Sequence, residues 1–269
     1  MPATLEDIIA EADRLLEPER FEDYCLNGLQ VPANPSLDPA HARPEIERIA
    51  TGVSAHAELF ELAAEREAQL LLVHHGMFWG PGFRSIDAQL RRRLQLLFDA
   101  NIALAAYHLP LDAHPELGNN ALIAKALAGA GADAPSLEPF ATHRGTPIGC
   151  IATLAPDPGM PAADLFEATA GLTARTPLVF DAGPAHVKRL AIVSGAGADY
   201  LADAAAANAD ALLTGEAPER AMAEARELSL HLIAAGHYAT ETFGIRALGE
   251  RLAARFGLEH VFLDVPNPI

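Results

Sequence analysis

The chain has 269 residues, half of them apolar and a fifth charged, which is enough for one large or two modest domains with packed cores and too apolar for a disordered protein. Its 36 acidic residues against 19 basic ones give a net charge of −17; that argues against a protein that grips nucleic acid by its phosphates and against an anionic membrane surface as partner. The two cysteines, Cys25 and Cys150, form no CxxC pair, so neither a disulfide scaffold nor a thiolate zinc site is expected, and a reducing cytoplasm is the simplest home.

The first residues lack the basic and apolar regions of a signal peptide, and no apolar run approaches the ~18 residues of a membrane-spanning helix. Thr4 to Asp7 fits a capping box, and Leu5, Ile8, Ile9, Ala12, Leu15 and Leu16 recur at helical spacing until Pro18. Asn27-Gly28 signals a turn, and a Pro-rich run extends from Pro32 to Pro44. From residue 47 short apolar runs alternate with helical segments, the signature of an α/β domain. Strands are expected at Arg48–Val53, Leu70–Val73 and Ile102–Tyr107, and helices at Ala55–Arg66, Asp87–Ala100 and Asn120–Leu127.

The chain also repeats itself. Lys188 to Val193 echoes Glu47 to Gly52, and Ala211-Leu212-Leu213-Thr214-Gly215-Glu216 stands where Leu71 to Gly76 stood. His108 with Asp112 is matched by His237 with Glu241, each a strand running into His-x-x-x-acid. Any two βαβ units share such features, but the common order of strand, helix, strand, helix and His-x-x-x-acid favours a duplicated unit. The expected organisation is a first α/β unit at 1–128, an insert at 129–187 with strands near Ile148–Leu154 and Pro177–Phe180, and a second α/β unit at 188–269.

Three segments carry chemistry. His74 and His75 end a buried strand, where open α/β sheets bind ligands. Neighbouring strand residues point to opposite faces. Either one histidine is packed and the other exposed, or each serves a different one of two ions lying side by side. Tyr107 to Glu116 places two histidines and two acids after the next strand, in a loop leading to a helix near Asn119. His237 and Glu241, if helical, share one face. The imidazoles of His74, His75 and His237 and the carboxylates of Asp112 and Glu241 form a donor mixture suited to iron, zinc, manganese or nickel. His108 is a further candidate for acid-base chemistry. Glu216 either approaches such a site or caps a helix. Ser194-Gly195-Ala196-Gly197 could cradle a phosphate, although two glycines in a turn more often mean tight packing.

Asn27 to Val31, His74-His75-Gly76-Met77-Phe78-Trp79, the run from His108 to Asn120, Thr214-Gly215-Glu216, Gly236 to Glu241 and Pro266-Asn267-Pro268 together resemble the GTP cyclohydrolase 1 type 2 family, the Ngg-interacting-factor-like dinuclear metal centre proteins, in its YbgI-like branch. The resemblance runs from Leu5 to Pro268. It implies a three-layer α/β/α fold, a toroidal homohexamer and two divalent metal ions per subunit, with ligands falling on His74, His75, Asp112, His237 and Glu241. It also implies a metal-activated water that opens the imidazole ring of a nucleotide such as GTP at C8, releasing formate. A non-enzymatic metal-binding hexamer is the alternative. Where many relatives carry Pro after the histidine pair, Gly76 stands here.

Overall fold

The computed structural model describes residues 3–33, 46–80, 85–128 and 135–269. Most of the Pro-rich run, at 34–44, lies outside the described residues. The chain divides into two compact units, unit 1 being residues 1–111 with 245–265 and unit 2 residues 112–244 with 266–269.

In unit 1, α1 (Leu5–Leu16) starts at Thr4, whose hydroxyl accepts the Asp7 amide while the Asp7 carboxylate accepts the Thr4 amide. Glu17 ends the helix in the left-handed region, at φ 46°. β1 (Gly28–Val31), β2 (Arg48–Ser54), α2 (Ala57–Glu65), β3 (Leu70–His75), α3 (Ala88–Asp99), β4 (Ala103–Ala106) and α4 (Leu109–Ala113) follow. The sheet order is β1-β4-β3-β2, with the late strand at Glu259–Phe262 beside β2. β2, β3 and β4 are parallel, and β1 is antiparallel to β4.

Both faces of this sheet are buried, as a parallel core demands. Ala50, Leu71, Val73, Leu104 and Ala106 pack with Leu59, Phe60 and Ala63 of α2 and Leu97 of α3. The other face takes the long helix at Thr242–Phe256, whose Gly249 lies against Thr51. That is helix, sheet, helix. Each such fully buried Leu or Ile contributes about 1.5–3 kcal/mol.

Unit 2 contains α5 (Asn119–Ala128), β5 (Leu137–His143), β6 (Thr146–Thr153), β7 (Met160–Pro161), α6 (Ala162–Thr173), β8 (Leu178–Phe180), β9 (His186–Val187), β10 (Arg189–Val193), α7 (Leu201–Ala206), β11 (Ala211–Thr214), α8 (Ala221–Leu228), β12 (His231–Ala234) and α9 (His237–Thr240). α10 (Thr242–Phe256) and β13 (Glu259–Phe262) return the chain to unit 1. The sheet order is β5-β6-β10-β11-β12-β8. Its parallel centre β10-β11-β12 repeats β2-β3-β4, so Leu71–Val73 and Ala211–Leu213 both occupy the middle strand. Ile123, Ala124 and Leu127 of α5 and Leu165 of α6 cover one face with Leu190, Ile192, Leu213 and Ile233; α7 and α8 pack on β11 and β12.

The units therefore divide the chain differently from the expected 1–128, 129–187 and 188–269. α5 belongs to the second core. The expected insert builds that sheet's edges, since β6 pairs antiparallel with β10 and β8 with β12. β13, expected in the second unit, pairs parallel with β2. The cause is an edge: β6 takes on β10 the place that β13 takes on β2. Among the described residues no helix is long and apolar enough to cross a membrane.

Candidate functional site

Unit 1 gathers three imidazoles at the carboxyl end of its parallel strands. His74, fully buried at the end of β3, lies with its Nδ1 3.0 Å from the Tyr107 carbonyl oxygen. A carbonyl only accepts, so Nδ1 carries the proton and Nε2 is the basic nitrogen. His75 pairs through Nδ1 with Ser54 Oγ at 3.0 Å. His108 directs Nδ1 at Asp23 Oδ1, 2.8 Å away. Neighbouring strand residues ordinarily point to opposite faces, yet the His74 and His75 ring centroids stand only 4.8 Å apart, and His108 is 5.0 and 5.6 Å from them. One ligand nitrogen of each lies within 4.8 Å of the others, a grouping able to hold a metal ion. Trp79 borders the set at 5.1 Å from His108, its indole N–H donating to the Gly76 carbonyl at 2.7 Å.

The backing of His108 is absent from the sequence reading. Asp23 accepts the Cys25 amide at 3.0 Å, the Leu109 amide at 2.9 Å and the Asn27 side-chain amide at 2.9 Å, while the Asn27 carbonyl oxygen accepts the His108 amide at 2.8 Å. The Asn27-Gly28-Leu29-Gln30 motif was the available signal, beyond its turn. Gln30 accepts the Met77 amide at 2.8 Å and donates to the Leu26 carbonyl at 2.6 Å. A Cβ on Gly76 would displace that Gln30 amide.

Burial alone would push the Asp23 carboxyl up, but the donors from His108, Asn27 and the Cys25 amide outweigh it and hold the group at about 2. A pKa depressed in the folded state gives stability that is present above the ordinary value of 3.8 and lost as pH falls towards 2. That displacement corresponds to roughly 2 kcal/mol. Asp23→Asn should lower the urea midpoint at pH 7 but leave it nearly unchanged at pH 2; equal losses at both would refute the linkage.

Unit 2 supplies the carboxylates. Asp112, 8% exposed at the end of the His108–Asp112 stretch, accepts the Asn119 side-chain amide at 2.8 Å and the Ser194 hydroxyl at 2.9 Å. Asn120 ties Asp112 to the sheet: it donates to the Ile148 carbonyl at 2.8 Å and to the Asp112 carbonyl at 3.2 Å, and accepts the Ser194 amide at 2.8 Å. His237 Nε2 lies 3.2 Å from Oε1 of Glu241, which is 3% exposed, and His237 Nδ1 lies 3.4 Å from Oε2 of the partly exposed Glu216. Desolvation disfavours the imidazolium, but the two carboxylates prevail and raise His237 to about 8.

Glycine makes this geometry. At Gly195, with φ +64°, a Cβ would collide with Glu241 Oε1. The Ser194–Gly197 turn is a packing device and not a phosphate cradle, since the Gly195 amide donates to Thr240 Oγ1 at 3.1 Å and the Gly197 amide to Thr214 Oγ1 at 2.8 Å. His114 serves its own turn, its Nδ1 accepting the Leu117 amide at 2.9 Å and the Glu116 amide at 3.1 Å. Of the expected site residues, His74 and His75 are joined by His108 in unit 1, His237 and Glu241 stand together with Glu216 beside them in unit 2, and Asp112 is held by Asn119 and Ser194.

Residues 3–268 match the family Duf34/NIF3 (NGG1p interacting factor 3). A protein of Pseudomonas aeruginosa bearing the name GTP cyclohydrolase 1 type 2 homolog is 41% identical over 268 residues, 100% of both chains. Of solved structures, protein ybgI, titled as of unknown function, has a TM-score of 0.86 at 35% identity, covering 99% of this chain and 100% of that one. TTHA1606 from Thermus thermophilus has 0.85 at 36%, with the same coverage. With the three parallel strands, the paired histidines and the carboxylate set all accounted for, the chain belongs to the Duf34/NIF3 family.

Proposed function

We propose that this protein is a dinuclear-metal-dependent hydrolase that holds two divalent transition-metal ions per chain through His74, His75, Asp112, His237 and Glu241 and acts on a small molecule of the nucleotide class. The observation that supports the reading is that the ligand side chains are held from behind. His74 is oriented by the Tyr107 carbonyl, His75 by Ser54, Asp112 by Asn119 and Ser194, and His237 by Glu216. Such outer partners fix tautomer and ring direction in metal sites. The donors fit the group: imidazole and carboxylate without thiolate suit iron, zinc, manganese or nickel, and His237 and Glu241, 3.2 Å apart, would be among the residues that hold it.

When bound, two such ions lower the pKa of water and polarise the bond under attack. The chain's own contribution is proton handling and orientation. His108, its Nδ1–H committed to Asp23, offers Nε2 as a base, and Glu216 can take up a proton beside His237. The name shared by the relatives brings GTP as the first substrate to test, by hydrolytic opening of its imidazole ring at C8 with release of formate. A metal-binding scaffold or regulator is the second reading, favoured by the charge of −17, which repels a triphosphate. In either reading we propose a homohexamer in the cytoplasm, where the buried free thiols Cys25 and Cys150 stay reduced.

Elemental analysis of protein purified without chelator or nickel resin, followed by a panel of nucleotides and phosphoesters with each metal, separates the readings. Turnover abolished by chelator and by Glu241→Gln supports the hydrolase; two bound ions with no turnover support the scaffold. Light scattering should give about six times the 28.5 kDa chain mass, and a 28.5 kDa species would exclude the hexamer.

A further inference from the structure

A polyanionic substrate needs a cation on a protein this acidic, and unit 2 offers one beside His237. Arg175, just past the end of α6, rests its guanidinium on Gly236, the residue before His237. A Cβ on Gly236 would lie 2.5 Å from Arg175 Nη1 and 2.7 Å from its Cδ, and Gly236 has φ +104°. The backbone therefore favours glycine there, and a Cβ would push the Arg175 side chain away.

Several basic side chains of this unit are spent on carboxylates: Arg189 on Glu138, Lys188 on Asp157, and Arg220 on Asp199. Among the described residues Arg175 has no carboxylate partner. Its guanidinium donates from Nη1 to the Pro268 carbonyl at 2.8 Å, a neutral acceptor that fixes the plane without cancelling the charge. A planar guanidinium anchored on a neutral carbonyl keeps donors free for bidentate hydrogen bonding with phosphate oxygens. The carboxylates Glu216 and Glu241 lie on His237 itself, so they repel an anion where Arg175 attracts it, and this polarity orients a phosphorylated molecule with its phosphate towards Arg175.

We propose that Arg175 is the anion-recognition residue of this site, gripping a phosphate of a phosphorylated small-molecule substrate next to His237. This rests on, and narrows, the hydrolase reading. Gly236 is then the cradle of the arginine and Pro268 its anchor.

The test uses the metal-loaded protein, with tripolyphosphate as probe in titration calorimetry, on wild type, Arg175→Met and Arg175→Lys. Met keeps the apolar stem over Gly236 and removes the charge. The expected result is at least a tenfold loss of affinity in Arg175→Met and a smaller loss in Arg175→Lys, with metal content and Tm at wild-type values. In the same protein GTP should weaken in parallel, while guanosine, which has no phosphate, is unaffected. Equal affinity of wild type and Arg175→Met, no binding by wild type, or a loss that tracks a fall in Tm and metal content overturns the proposal; the last makes Arg175 only an anchor for the Pro268 segment. Anion binding through Arg175 in a protein that holds no metal would leave this inference standing and remove the hydrolase.

Discussion

Glu241→Ala should bring bound metal from two ions to fewer than one per chain and abolish hydrolysis, with far-UV circular dichroism unchanged. Under the proposed ligand set, Asp112 and Glu241 are the anions that offset two dications a few ångströms apart, and a carboxylate can give one oxygen to each ion. Removing Glu241 would take away one of these anions and leave the repulsion. It also removes the anion at His237 Nε2, 3.2 Å away. Asp112 stays clamped by Asn119 and Ser194, so the fold persists. His74→Ala and His75→Ala should be milder, leaving nearer one ion than two, because under the proposed ligand set each imidazole would serve mainly one ion. Elemental analysis decides the matter: a Glu241→Ala protein that keeps two tightly held ions refutes a bridging role.

Gly215→Ala should cost about 1–3 kcal/mol and lower Tm by roughly 2–12 °C. The added Cβ would lie 2.6 Å from His237 Cα, 2.7 Å from the Gly195 carbonyl oxygen and 2.9 Å from the His237 amide nitrogen. All three are backbone atoms, so no side-chain rotation relieves the clash; either the turn carrying Ser194 or the start of α9 must shift. Gly171→Ala is the control. It lies inside α6 with nothing within 4 Å of the new Cβ, and should stabilise by about 0.5–1 kcal/mol as a helix-interior glycine replaced by alanine. Calorimetric scans in which both variants shift Tm in the same direction would contradict this.

The central strands and the donors were legible in the sequence for the same reason: both are local. Leu70–Val73 and Ala211–Leu213 are unbroken apolar runs because parallel strands buried on both faces admit little else, and the histidines and acids stand directly after them. What sits behind the donors was not legible. Asp23 reaches His108 and Ser54 reaches His75 only because strands and loops distant in sequence lie side by side, and a lone Asp or Ser in a loop looks the same whether it backs a ligand or faces water. β1 was hidden in a four-residue run following Asn27, read as a turn. The fate of β13 was invisible as well, since Glu259–Phe262 is equally suited to either sheet.

That last pairing has a kinetic consequence. The strands of the unit 2 sheet all lie between residues 137 and 234, whereas the unit 1 sheet is finished only when Glu259 meets Arg48 and Phe262 meets Thr51. On a growing chain, unit 2 can complete its sheet while β2 still presents an open row of amides and carbonyls over the apolar Ile49 and Ala50. Contacts so distant along the chain form slowly, and an unpaired edge strand is a template for pairing with other molecules. The nascent protein is thus most exposed to aggregation in the interval between synthesis of β2 and arrival of β13, which ends that interval by pairing with β2 and leaves as the edge a strand of only four residues.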